Sequence, residues 1–126
     1  MIFVGASKYL MYGGITSGAS GNKVAPISDI YTLRMTRTDW VWEKQDCSGA
    51  EKPGPRAQHV ALNVGNDKMF VFGGHASPTC RLNDTWMLNV KEYTWTRCKG
   101  DKTVGDNKLS PIGAPSPRAN AASCYY

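Results

Sequence analysis

A pattern of four landmarks is written twice along this chain, and a unit that recurs in this way has to bury its faces against copies of itself. The first pass runs Lys8-Tyr-Leu-Met-Tyr-Gly-Gly14, Ser28-Asp-Ile-Tyr-Thr-Leu33, Trp40-Val-Trp-Glu-Lys44 and Pro53-Gly-Pro-Arg-Ala-Gln-His59. The second runs Lys68-Met-Phe-Val-Phe-Gly-Gly74, Asn83-Asp-Thr-Trp-Met-Leu88, Tyr93-Thr-Trp-Thr-Arg97 and Pro115-Ser-Pro-Arg-Ala-Asn-Ala121. The offsets are 60 from Gly13 to Gly73, 55 from Asp29 to Asp84, 53 from Trp42 to Trp95 and 62 from Arg56 to Arg118. The scatter falls between landmarks, where loops accept insertions at little thermodynamic cost.

Each landmark reads as a strand. The pieces are short, rich in β-branched and aromatic residues, and stopped by Gly, Pro, Asn or Asp, while helix signals are nearly absent. Strands are expected near 1–4, 8–13, 29–34, 40–45, 57–64, 68–73, 84–90, 93–98 and 119–125. Gly5-Ala-Ser7 and Gly65-Asn-Asp67 are the tight turns, and Asn66-Asp67 suits a two-residue hairpin loop. The result is four antiparallel strands per unit.

Composition narrows the class of molecule. With 41% hydrophobic and 20% charged residues the chain is neither a disordered tail nor a membrane span. No run approaches the roughly 18 apolar residues of a spanning helix, and the start, Met1-Ile-Phe-Val-Gly, lacks the form of a signal peptide. A cytoplasmic setting follows as the expectation. The surplus of 15 Lys+Arg over 10 Asp+Glu is dispersed: residues 1–63 hold seven basic and five acidic groups, residues 64–126 eight and five. That pattern argues for solubility and against nucleic-acid or membrane binding. Cys47, Cys80, Cys98 and Cys124 would permit three disulfide pairings, but free thiols are the simpler reading.

The double glycines Gly13-Gly14 and Gly73-Gly74, the aromatics Tyr31 and Trp86, the tryptophans Trp42 and Trp95 and the two Pro-x-Pro-Arg turns resemble the kelch family of β-propellers over nearly the whole chain. The resemblance implies an all-β, kelch-type propeller with two four-stranded antiparallel blades plus the first strand of a third. Residues 1–52 would form one blade, 53–114 the next, and 115–126 would open another. Two departures stand out: no Pro-Arg turn or histidine precedes the first strand, and Ala121 replaces the histidine that the first unit has at His59. Each glycine pair would supply positive φ and bare backbone for a large side chain to pack on, with the aromatics of the third and fourth strands supplying the rings. A propeller needs typically four to eight blades, so the expectation is an excerpt of a longer protein or one part of a composite ring.

In a meander the second-to-third-strand connections (15–28 and 75–83) share one end of the disc with the connections between units (46–56 and 99–118). These are the long ones, so that end is the expected binding face. The resemblance implies that it takes a peptide or protein partner, with arginines opening the inner strand among the contacts. Arg56 and Arg118 hold that position. Either they grip carboxylates of an acidic partner segment, or they bond carbonyls of an adjacent loop. His75 and Arg81 are further candidate contacts. His59 reads as a hydrogen-bonded histidine near the channel, and Trp40, Trp42, Trp86 and Trp95 as packing.

No metal, cofactor or catalytic residue is expected. His75 and Cys80 lack a second pair at zinc-like spacing, and no nucleophile elbow, phosphate loop or His-Glu-x-x-His is present. Asn83-Asp-Thr85 matches a glycosylation acceptor only by coincidence with the Asn-Asp-x-aromatic landmark. The function expected is a protein-interaction module, with any remaining blades supplied by the same longer chain or another. The alternatives are a positioning domain of a larger enzyme (a phosphatase, ubiquitin-ligase adaptor or oxidase) and a cytoskeletal or ciliary scaffold.

Overall fold

The computed structural model describes residues 1–17, 24–98 and 115–124. Among these residues ten strands form in chain order: β1 Ile2–Gly5, β2 Lys8–Tyr12, β3 Ile15–Ser17, β4 Val24–Pro26, β5 Ile30–Met35, β6 Trp40–Gln45, β7 Val60–Asn63, β8 Lys68–Ser77, β9 Cys80–Asn89 and β10 Thr94–Arg97. They build two four-stranded sheets, β1-β2-β5-β6 and β7-β8-β9-β10, in which every pairing is antiparallel. The short hairpin β3–β4 stands apart as a third sheet.

The tight turns form where the sequence places them. Lys68 N donates to Gly65 O at 3.0 Å, with Asn66 and Asp67 both at positive φ, as a twisted two-residue hairpin loop requires. Three other expectations change. Both second-to-third-strand connections carry β structure of their own: the first contains β3–β4, and in the second β8 and β9 run on until only Pro78 and Thr79 separate them. The inner strand expected over 57–64 starts at Val60, because Gln58 bends the chain at φ 56° and leaves Ala57 only an isolated bridge to His75. Asn120 repeats that bend at φ 56°. The strand expected over 119–125 has no partner strand among the described residues, its stretch 119–124 forms no ladder, and Tyr125 lies outside them.

The core lies between the two large sheets. Strand alternation turns Leu10, Tyr12, Ile30 and Thr32 of the first sheet toward Met69, Val71, Trp86, Leu88 and Trp95 of the second, and all of them are buried. Tyr12 meets Trp95 at 5.1 Å between ring centroids and Trp86 meets Trp95 at 6.4 Å, both edge to face. Such aromatic side chains dominate a junction of this kind, since each buries on the order of 150–250 Å².

Candidate binding face

The geometry at one end of this junction is set by the Pro-x-Pro-Arg turns. Each delivers its arginine backbone onto the glycine pair of the sheet before it. Gly14 N donates to Arg56 O at 2.9 Å and Arg56 N to Ile27 O at 3.1 Å; Gly74 N donates to Arg118 O at 2.9 Å and Arg118 N to Leu82 O at 3.1 Å. A Cβ at Gly13 would sit 2.6 Å from Arg56 O, and one at Gly73 would sit 2.7 Å from Arg118 O. Both glycines also have positive φ, 65° and 64°. The bare backbone therefore makes room for a carbonyl of the incoming turn, where a bulky ring was expected.

Arg56 goes inward. Its guanidinium grips Asp84 with Nη1 to Oδ1 at 2.6 Å and Nη2 to Oδ2 at 2.8 Å, and donates to Gly73 O and Gly54 O as well. At 1% exposure, with four of its five N–H groups in use, it has little left for an outside carboxylate. Its contacts at the junction are thus to an internal carboxylate as well as to carbonyls of the adjacent turn and strand. Trp86 Nε1 also donates to Asp84 Oδ2, at 2.6 Å. Burial pushes the Asp84 carboxyl up, but the hydrogen bonds and charge of Arg56 outweigh it and hold the group below its ordinary value.

Two neighbours complete the junction. Tyr12 donates its hydroxyl to Gly54 O at 2.9 Å, tying the turn to β2, and burial pushes its pKa up to about 12. His59 packs edge-on against Tyr12 at 5.2 Å; burial first, then the Arg56 charge, lower its pKa to about 4, so the ring is neutral at physiological pH. Sequence reasoning gave no role to Tyr12 or to the Asp84 carboxylate. The signal available was Asp84 recurring at a fixed place in the repeat, but its partner lies 28 residues away and across a sheet boundary.

Arg118 repeats only the local half of this arrangement. Its Nε donates to Ser116 O at 3.1 Å, as Arg56 Nε does to Gly54 O at 3.2 Å, yet its side chain is exposed and no carboxylate meets it among the described residues. His75 and Arg81 are brought opposite one another in the β8–β9 ladder, with His75 half-buried and Arg81 exposed. Trp86 and Trp95 pack in the junction, whereas on the outer strand β6 Trp42 is 51% exposed, contrary to the expectation of packing, and Trp40 is 48% exposed with one side against the Tyr9 ring, 6.0 Å between centroids. The face of β6 that carries them points away from the junction. Asn83 is 2% exposed and donates to Pro115 O at 3.3 Å, which leaves no accessible amide for glycosylation.

Of the hollows that open at this end, two flank β8 and β9. One, of about 450 Å³, lies between the 51–56 turn and β9, floored by the Arg56–Asp84 pair and Trp86. Its charges are matched internally: Arg97 pairs with Glu51 at 3.5 Å and Lys52 donates to Cys47 O. The other, of about 210 Å³, lies between the β3–β4 hairpin and the end of β8. Among the described residues no group of three His, Cys, Asp or Glu side chains converges to hold a metal ion, and no helix is long and apolar enough to cross a membrane.

Four-stranded antiparallel sheets stacked face to face, each receiving the next unit's turn on a glycine pair, are the blades of a β-propeller. The chain belongs to the kelch-repeat family, since the KLHDC2/KLHL20/DRC7 Kelch-repeats domain matches residues 1–126. It is similar to the dynein regulatory complex subunit 7 of Chlamydomonas reinhardtii, with 32% identity over 79% of this chain and 8% of that protein. The flagellar outer-arm dynein alpha chain of the same organism is 29% identical over 94% of this chain and 2% of its own length. Kelch domain-containing protein 1 of Mus musculus is 27% identical over 58% of this chain and 18% of its own. The chain therefore spans a small part of these relatives.

Proposed function

We propose that these residues are a protein-interaction module, two blades of an intracellular propeller that present one end to a protein or peptide partner. The observation that supports this reading most is the division of labour at that end. Arg56 is locked into the junction, while the β3–β4 hairpin, Arg81 and Arg118 project beyond it. Connections that vary around a rigid scaffold are where binding concentrates. On this reading Arg118 and Arg81, with His75, meet an acidic stretch of the partner, and no chemistry is performed by the chain itself. Residues 1–52 and 53–114 are then successive blades.

A second reading is favoured by the names of two relatives, one a subunit of a dynein regulatory complex and the other a flagellar dynein chain. The module would then be a scaffold on a ciliary or cytoskeletal assembly. One experiment addresses both. The full-length protein is mixed with its purified candidate partner, or with axonemes, and cosedimentation is compared for wild type, Arg118→Ala and Lys91→Ala, the last at the opposite end. Loss confined to Arg118→Ala supports the proposed face, whereas loss confined to Lys91→Ala places binding elsewhere. Sedimentation with axonemes but not with a soluble partner favours the scaffold.

A further inference from the structure

The smaller hollow differs from the rest of the proposed face in its chemistry. Ile15 and Val24 on the β3–β4 hairpin form one wall and are 57% and 68% exposed. Pro26 lines it from the same hairpin, and His75, Ser77 and Pro78 line it from the end of β8. No Lys, Arg, Asp or Glu is among its described lining residues. At about 210 Å³ it holds one aliphatic side chain with the peptide that carries it, and nothing as large as a folded element. Among the described residues the hairpin pairs with itself and with no other strand, so its exposed isoleucine and valine do not close a sheet there. The imidazole of His75, on the opposite wall, has Nδ1 without a hydrogen-bond partner.

We infer that this groove between the two hairpins seats a branched aliphatic residue of an extended, uncharged stretch of the partner. The inference rests on the proposed binding face and names its anchor. The argument is one of complementarity. The charged groups at this end are largely matched by their own neighbours: Arg56 by Asp84, Arg97 by Glu51 and Lys52 by a carbonyl. What stays exposed to water there at real cost is apolar surface, and removing it from water is the interaction the groove has to offer. Charge on an occupant would find no partner inside.

The test is a displayed library of random seven-residue peptides, selected on the complete kelch-containing protein. Enriched peptides are then measured by fluorescence polarisation against wild type, Ile15→Asp, Val24→Asp, Arg118→Ala and Lys91→Ala. The expected result is an enriched set with Leu, Ile or Val at one fixed position. Its affinity should fall by about tenfold or more for Ile15→Asp and Val24→Asp, with Arg118→Ala changing it little. Both aspartates replace exposed residues, and unchanged melting confirms that the fold is intact. Three results overturn the inference: a consensus lacking an aliphatic position, aliphatic peptides that bind Val24→Asp as well as wild type, or no enrichment. If acidic peptides are enriched and lost only on Arg118→Ala, the groove assignment falls and the binding face stands. If binding is lost only on Lys91→Ala, both fall.

Discussion

The face of the second blade that carries Trp86 and Trp95 and the matching face of the first, with Tyr31 and Trp42, are built from the same landmarks and live in different surroundings. Trp95 is 4% exposed and Trp42 51%. Asp84 is held by a buried arginine in two bonds, while its counterpart Asp29 pairs with Lys44 at 3.0 Å in the open. The second blade's face is covered by the first blade and by the turn that carries Arg56; the first blade's equivalent face meets no other sheet among the described residues. Landmark residues therefore do not make an interior by themselves. The neighbouring sheet and its arginine turn do.

The largest effect separating the two faces should come from the glycine that admits the turn. In Gly13→Val the new side chain would start 2.6 Å from the carbonyl of Arg56 and would hold a backbone φ of 65° that valine resists. Neither the carbonyl nor the turn behind it can retreat without breaking the Gly14 N to Arg56 O bond. A loss of about 3 kcal/mol or more is expected, read as a shifted denaturant midpoint or as insoluble protein. Gly54→Ala is the control, since a Cβ there meets nothing within 4 Å. Equal behaviour of the two variants would contradict the account of the junction.

Of comparable size is the effect of the buried ion pair. Arg56→Ala leaves the Asp84 carboxylate and the Gly73 carbonyl short of donors in a site removed from water. Breaking one partner of such a pair costs about 3–5 kcal/mol. Lys44→Ala removes the equivalent surface contact to Asp29 and should leave stability unchanged within error, because water replaces it. Urea titration of the complete domain with each variant measures the difference, and comparable losses would show that the two aspartates are not in different environments after all.

Much of this arrangement can be read from the chain before any coordinates. Alternation located the strands of both sheets, Asn66-Asp67 marked its turn, and the recurrence of Gly-Gly and Pro-x-Pro-Arg tied the two units together. What could not be read is what crosses from one blade to the next. That a glycine makes room for a carbonyl some 43 residues on, as Gly13 does for Arg56, depends on how two sheets stack. So does the choice between burying Arg56 and offering it to a partner, and the same spacing leaves Arg118 outside. The hairpin extensions were missed for a local reason: His75-Ala-Ser and Cys80-Arg-Leu follow a glycine pair that reads as a stop, whereas the ladder passes it with a register shift between Phe72 and Gly74 and continues.

The smallest effect, and the one that probes the covered face most gently, is its response to acid. His59 has its pKa lowered to about 4 in the fold, by burial and then by the charge of Arg56, against 6.5 for an ordinary histidine. As pH falls below 6.5 the unfolded chain takes up a proton that the folded chain refuses, so stability declines between pH 6.5 and about 4 and levels off below that, by about 3 kcal/mol at most. Asp84 acts in a different window. Its pKa is held below the ordinary carboxylate value, so its contribution is complete above the unfolded pKa and is lost only as pH drops through the folded one. His59→Gln should therefore flatten the decline between pH 6.5 and 4 in a series of thermal melts while leaving the steeper loss at lower pH in place. A variant that melts with the wild-type pH profile would mean that His59 is open to water, and that the first blade does not shield it.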